Sequence, residues 1–331
     1  MGEQQHSLTG VRTHPNPSWA AVVITTCRLW LQRHQGRGPR SASRRRRGFL
    51  VLSALAAMVL GAVVTLAFTS QADHAGPTAS PRATDAAQNA STALQVAAAN
   101  RGQAAAWIAQ QVLPSVLIGC DPLMCQSLAA DGVSASRLSV IQPSMPDPLG
   151  MEVIVATPAL QSQFGLRLAT VYAPLVLARF GSGAAQIDVR YVVPGGTAAF
   201  EQSLAPAQHA RIEAGEQLLS NKNVQASAQA TRALQAGDVD PRLLVTLGLL
   251  AHEMPVQLVA FDDSSPGASP ENPLRGALIG ATASAGLSAM LAFLAQQTTY
   301  QPSQYHVARI ASGQVVTVQF DAPGPLGLNG P

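Results

Sequence analysis

The sequence predicts an α/β fold carried behind a single N-terminal transmembrane helix, and three observations predict it. Arg44, Arg45, Arg46 and Arg47 run into 21 uncharged, mostly apolar residues at 48–68. At about 1.5 Å per residue that stretch forms a helix of roughly 30 Å, the hydrocarbon thickness of a bilayer. Residues 69–90 are rich in Ala, Thr, Ser, Pro and Asp, with almost no large apolar side chain. From about residue 91 onward, helix-like and strand-like blocks alternate in the rhythm of an α/β sandwich.

The basic charge is confined to the leader. Residues 1–47 carry nine arginines and one acid, Glu3, whereas residues 48–331 carry 12 basic and 17 acidic residues. The positive-inside rule then keeps the N-terminus in the cytoplasm and makes everything after residue 68 extracytoplasmic. The plasma membrane is the expected location, and the lipid bilayer is the first expected partner. A cleavable signal peptide competes for the same residues. The apolar run exceeds the usual signal-peptide core, the leader is long, and residues 69–75 match a small-x-small cleavage site poorly, which favours an uncleaved signal anchor. The pI near 9.0 is therefore a leader property, and nucleic acid is not an expected partner.

The leader, 1–47, lacks periodicity and is expected to be disordered; its apolar patch at 19–31 is broken by Arg28 and too short to span. Residues 69–90 cannot bury a core and read as a flexible stalk. The first folded block, 92–113, is a helix with Leu94, Ala98, Ala105, Ile108 and Val112 at helical intervals, stopped by Pro114. An apolar run at 116–119 reads as a strand. Asp121 then caps a helix that has Pro122 at its first position and extends to Ala130. Strand-like runs follow at 138–141, 153–156 and 187–193, around a mixed apolar segment at 172–180.

Three cysteines are present. Cys27 lies in the leader and reads as a reduced thiol. Cys120 and Cys125 lie outside, where oxidation is allowed, and are expected to form a local disulfide clamping the strand-to-helix turn. A metal site would need further Cys or His nearby, and a redox-active pair is more often C-x-x-C. No metal and no cofactor is expected.

A constant offset of 106 sets Gln111 on Gln217, Ile118 on Val224, Leu128 on Leu234, Ala130 on Ala236 and Val133 on Val239. Two similar lobes, 91–200 and 201–321, would produce this; so would chance in a sequence rich in Ala and Leu. Asp240-Pro241 starts a helix reaching Met254, and 256–261 reads as a central strand. The loop at 264–273 has three prolines, 274–279 is a further strand and 286–297 a helix. A hairpin pairs 305–310 with 315–320, joined by 311–314. Residues 322–331 read as a Pro/Gly tail.

Catalytic patterns are tested against these elements. His252-Glu253 would begin a zinc-peptidase helix, but the second ligand position holds Val256. No G-x-S-x-G elbow exists, and Gly181-Ser182-Gly183 reads as a turn. Gly195-Gly196 lacks the G-x-G-x-x-G and P-loop patterns. Asp262 and Asp263 follow the central strand, where α/β proteins place ligand groups, although the Asp-Asp-Ser-Ser-Pro-Gly run is more simply a loop capping its own backbone. With Asp121, also at a strand end, they are the candidate ligand-binding acids; no catalytic set is assigned.

Ala106-Trp107-Ile108, Val116-Leu117-Ile118-Gly119-Cys120-Asp121, Phe180-Gly181-Ser182-Gly183 and Ile187-Asp188-Val189-Arg190 together resemble the soluble extracytoplasmic domain of actinobacterial lipid-linked-sugar glycosyltransferases. Those domains open with a Trp-containing helix, continue with a strand ending in Asp, and carry an F-G-S-G turn before an acidic-basic strand. About 85 residues are covered, by short motifs. The sequence shows neither a multi-helix membrane region nor the acidic loops that hold the sugar donor in such enzymes. The resemblance thus implies an accessory domain without the catalytic one. More broadly the chain is similar to actinobacterial single-pass membrane proteins. The expected function is a membrane-anchored, non-enzymatic binding protein of the cell envelope, taking an envelope glycan or a membrane protein. Two alternatives stand beside it: an envelope hydrolase or transferase using the strand-end acids, and a transmembrane signalling protein.

Overall fold

A computed structural model describes residues 81–193, 195–281, 284–298 and 300–328. The leader, the expected transmembrane helix 48–68 and most of the expected stalk lie outside the described residues. Among the described residues no helix is long and apolar enough to cross a membrane.

The fold is α/β, with two five-stranded mixed sheets. The first lobe runs α1 (Pro81–Gln111), β1 (Ile118–Cys120), α2 (Pro122–Ala130), β2 (Leu138–Val140), β3 (Val153–Ala156), α3 (Pro158–Phe164), β4 (Leu175–Phe180) and β5 (Ile187–Tyr191). Its sheet order is β2-β1-β3-β5-β4, parallel across the first three strands and antiparallel beyond. Both faces are covered, because alternate side chains of β3 go opposite ways. Val153 and Val155 join a core with Trp107, Ile108, Met124 and Leu128, while Ile154 and Ala156 join a second with Leu160, Phe164 and Tyr172.

The second lobe runs α4 (Gly196–Ser220), β6 (Val224–Ala226), α5 (Ala228–Ala236), α6 (Pro241–Glu253), β7 (Val256–Asp262), β8 (Gly276–Gly280), α7 (Ser284–Ala295), β9 (Gln304–Ile310) and β10 (Gly313–Gln319). Its sheet order is β6-β7-β8-β10-β9. A register shift between Leu258 and Ala260 resets the in–out alternation of β7, so that Phe261 returns to the core beside Val256 and Leu258.

The 106-residue offset is visible in the element bounds: β1 and β6, then α2 and α5, begin and end at that spacing. Leu128 and Leu234 are both fully buried, and the helices are capped by Asp121 and Ser227 at equivalent positions. Both lobes also contain a strand–helix–hairpin unit, β3-α3-β4-β5 and β8-α7-β9-β10, in which the last strand returns beside the first. The lobes diverge after Val133 and Val239, where the first makes β2 and the second starts α6 at Asp240 and Pro241.

Two segments differ from expectation. Helix α1 already begins at Pro81, so residues 81–90 are not a stalk; alanine supplies helix propensity without needing a core. Residues 322–328 are not a free tail. Ala322 N–H donates to Gln111 O and its carbonyl accepts from Leu113 N–H, while Leu328 packs on the second core. The buried Arg211 donates to the carbonyls of Gly237 and Leu326. Burial pushes this guanidinium below its ordinary pKa, with Asp238 and Asp240 pulling the other way.

The lobes are joined through the β7–β8 loop. Trp107 of α1 donates its indole N–H to Ser264 O at 3.0 Å, and Ser264 Oγ bonds Gln111 Oε1 at 2.8 Å. Arg275, fully buried, lies 5.9 Å from the Trp107 ring centroid and bonds Asp263 Oδ1 at 2.9 Å, Ser265 Oγ at 2.6 Å and Phe320 O at 2.8 Å. Beyond it the loop runs along strand β4: Arg179 N–H donates to Pro266 O, Ser269 N–H to Val176 O, and Val176 N–H to Ser269 Oγ. The outer edge of the first sheet is thereby paired by the second lobe.

Arg275→Ala leaves Asp263 buried without its cation and exposes one face of Trp107. We predict a loss of about 3–5 kcal/mol of stability, read as a lowered urea midpoint followed by Trp107 fluorescence. An unchanged midpoint would rule out this junction as a stability determinant.

Candidate functional site

The connections in the first sheet wind away in opposite senses from the parallel neighbours β1 and β3. From β1 the chain passes through α2 outward to β2; from β3 it passes through α3 to β4 and β5 on the opposite side. Open α/β sheets bind ligands in the crevice at the carboxyl ends of strands at such a switch point. Here the residues directly after the two strands are Asp121 and Thr157, and each precedes a helix whose first residue is proline.

Asp121 is the N-cap of α2, as the Asp-Pro pattern predicts. Its Oδ1 accepts from Leu123 N–H at 2.9 Å and Met124 N–H at 3.0 Å, and its Oδ2 accepts from the Thr157 hydroxyl. That hydroxyl, committed to Asp121, makes no cap bond to α3. The two helix starts are thus tied across the crevice through one carboxylate. Cys120 and Cys125 form the expected disulfide, with Cα atoms 5.4 Å apart, locking the end of β1 to the first turn of α2.

Beside this knot lies a groove of about 600 Å³. One wall is α1, which contributes Ala90, Ala93, Leu94, Ala97 and Arg101; the other walls are Asp121, Leu123, Thr157, Pro158, Ala159, Ala184, Ala185 and Ile187. The second wall is held by Asn100, whose amide donates to Ala185 O at 2.8 Å and packs against Gly181, whose φ of +69° and lack of side chain the contact requires. Among the described residues no aromatic ring lines the groove, and Arg101 and Asp121 are the charged ones.

Sequence periodicity placed Leu94 and Ala98 on the buried stripe of this helix. Ala105, Ile108 and Val112 are buried, but Leu94 is 72% exposed and Ala98 is exposed too. The lobe is not long enough to cover α1 before about Asn100. The groove residues recur along α1 at i, i+3, i+4, i+7 and i+11, the spacing of one helix face. This apolar stripe was the available signal; that half of it stands uncovered is a tertiary fact.

Of the three candidate acids Asp262 and Asp263 are joined by a hydrogen bond, and among the described bonds Asp121 shares no partner with them. Asp263 Oδ1 accepts from Ser265 N–H and pairs with Arg275, and Asp262 accepts from the Asp263 N–H. Those bonds are the loop-capping role. Asp188, in the acidic-basic strand, is held by Arg179 at 2.9 Å, Gln186 at 3.0 Å and Arg190 at 3.0 Å, which closes β4 against β5. Among the described residues no group of His, Cys, Asp and Glu is arranged to hold a metal ion. No family model, no curated protein and no solved structure matches this chain.

Two variants probe the knot. Removing the disulfide with Cys120→Ser and Cys125→Ser opens a closed loop of about six residues and is expected to cost about 2 kcal/mol, measured as a shift in the denaturation midpoint. Asp121→Ala is expected to cost about 1 kcal/mol from the lost cap and to speed amide exchange at Leu123 and Met124; slow exchange at both would contradict the capping role.

Proposed function

We propose that this chain is a membrane-anchored, extracytoplasmic, non-enzymatic docking protein of the cell envelope, whose groove beside α1 receives an apolar helix of a membrane protein. The observation that carries the reading is the uncovered stripe of Ala90, Ala93, Leu94 and Ala97 at helical spacing. Alanines let a second helix approach closely, and a leucine flanked by small residues is the pattern of helix-in-groove recognition. The described lining of the groove holds no aromatic ring, which disfavours a glycan, since a glycan stacks its apolar face on such rings. A non-enzymatic role is supported by the commitments of Asp121 and Asp263, whose oxygens are engaged in holding helix starts and the lobe junction.

The anchor follows from the arginine-flanked apolar run at 48–68 and the charge asymmetry across it.

The test places a photo-reactive amino acid at Ala97 of the full chain in host membranes. A discrete adduct with a membrane protein is expected, and Leu94→Glu should abolish it while leaving the thermal midpoint within about 0.5 kcal/mol equivalent, because Leu94 is solvent-exposed. Adducts to lipid alone, or adduct formation indifferent to Leu94→Glu, would overturn the docking assignment.

A further inference from the structure

Four strand edges bound the two sheets, and three of them are closed to further pairing or too short for it. The β4 edge is paired by Pro266 and Ser269 of the other lobe. The β2 and β6 edges are three residues long. The fourth, β9, is seven residues long and pairs with β10 along its whole length on one side only. Among the described residues no backbone group bonds its outer side. It has no proline, no lysine and no register shift, and of the devices by which edges are normally blunted it carries a single charge, Arg309.

Which backbone groups point outward follows from the hairpin. Ala311 and Ser312 form a two-residue connection, so the pair it closes, Ile310 and Gly313, is a hydrogen-bonded one. Alternation then turns Gln304, His306, Ala308 and Ile310 toward β10, and leaves the N–H and C=O of Tyr305, Val307 and Arg309 facing out.

We propose that β9 is the interface through which two copies of this chain pair, antiparallel, about a two-fold axis at Val307. That register sets Val307 on Val307 and Tyr305 on Arg309 in both directions. All three outward residues are then satisfied, giving about six main-chain hydrogen bonds, two per facing pair. The side chains are self-complementary in the same register. The single charged residue of the strand, Arg309, meets the Tyr305 ring of the other copy rather than its own counterpart, a favourable cross-strand cation–π pair. His306 faces Ala308. Val307, 39% exposed although its β10 partner Val316 is fully buried, is covered by its own copy on the axis. A self-complementary patch on a two-fold is the geometry of an isologous dimer. The paired sheets become one ten-stranded sheet, and the groove beside α1, in the other lobe, is no part of the interface.

The experiment uses the full chain in membranes, with Cys27→Ser to remove the leader thiol. Val307→Cys should give a disulfide-linked dimer on mild oxidation, since facing residues of a hydrogen-bonded pair have Cα atoms about 5.5 Å apart. Val140→Cys, on the short β2 edge and also exposed, controls for random collision and should give at least tenfold less. Val307→Pro removes an outward N–H that β10 does not use, and should convert the detergent-solubilised protein from dimer to monomer mass with its circular dichroism unchanged. If Val307→Pro alters the fold, the crosslinking comparison alone decides. A monomeric mass for the unaltered chain without a Val307→Cys crosslink, or equal crosslinking from Val140→Cys, overturns the proposal.

Discussion

The position of nearly everything else depends on one buried cation. Arg275 is fully enclosed, and a guanidinium enclosed without partners would be prohibitively costly to bury. Its partners are therefore structural requirements. Asp263 and Ser265 must stay on the β7–β8 loop, Phe320 O must arrive from the end of β10, and the Trp107 ring from the other lobe must cover it. Meeting all of them at once pins the 264–273 loop. That loop in turn pairs the edge of β4 and holds the end of α1 through Ser264. The second lobe supplies the arginine's hydrogen bonds and the first lobe supplies the ring that covers it.

The same junction explains why α1 can leave half its length uncovered. From Asn100 to Val112 the helix is fixed by core contacts, by the Trp107 and Gln111 bonds, and at its C-terminus by Arg137, which donates to the carbonyls of Leu113 and Val116. Those carbonyls lie just past the helix end, on the side where a cation is favoured. Burial pushes the Arg137 pKa below its ordinary value, with Asp321 raising it in part. A helix so firmly held at one end can extend its other end past the lobe, and the extension becomes a wall of the groove.

Local patterns made much of the fold legible in the sequence. Asp121-Pro122 and Asp240-Pro241 signal helix starts because an N-cap oxygen followed by a residue without an N–H satisfies the first turn, and both helices begin there. The 106-residue offset was readable because Leu128 and Leu234 fill equivalent buried positions. What could not be read was long-range. Asp263 follows a strand, as a ligand-binding acid would, but its partner Arg275 lies 12 residues later across a proline-rich loop. The stripe on α1 announces an apolar face without saying which half the lobe covers. Residues 322–328 look like a tail because prolines and glycines carry no periodic pattern, yet Ala322 is fully buried in the core of the first lobe.

The site follows the same logic as the junction, on a smaller scale. A carboxylate at a topological switch point is ordinarily the first suspect for chemistry, since its oxygens point into the crevice. Asp121 instead spends three acceptor positions on Leu123, Met124 and Thr157, and the adjacent disulfide fixes the turn that presents it. A carboxylate engaged in this way ties two helix starts together. In the proposed docking role such rigidity is an advantage, because a preformed wall spares the partner the cost of ordering it. On that proposal the crevice holds a shape, and its occupant is selected by the methyl groups of α1 rather than by the carboxylate beside them.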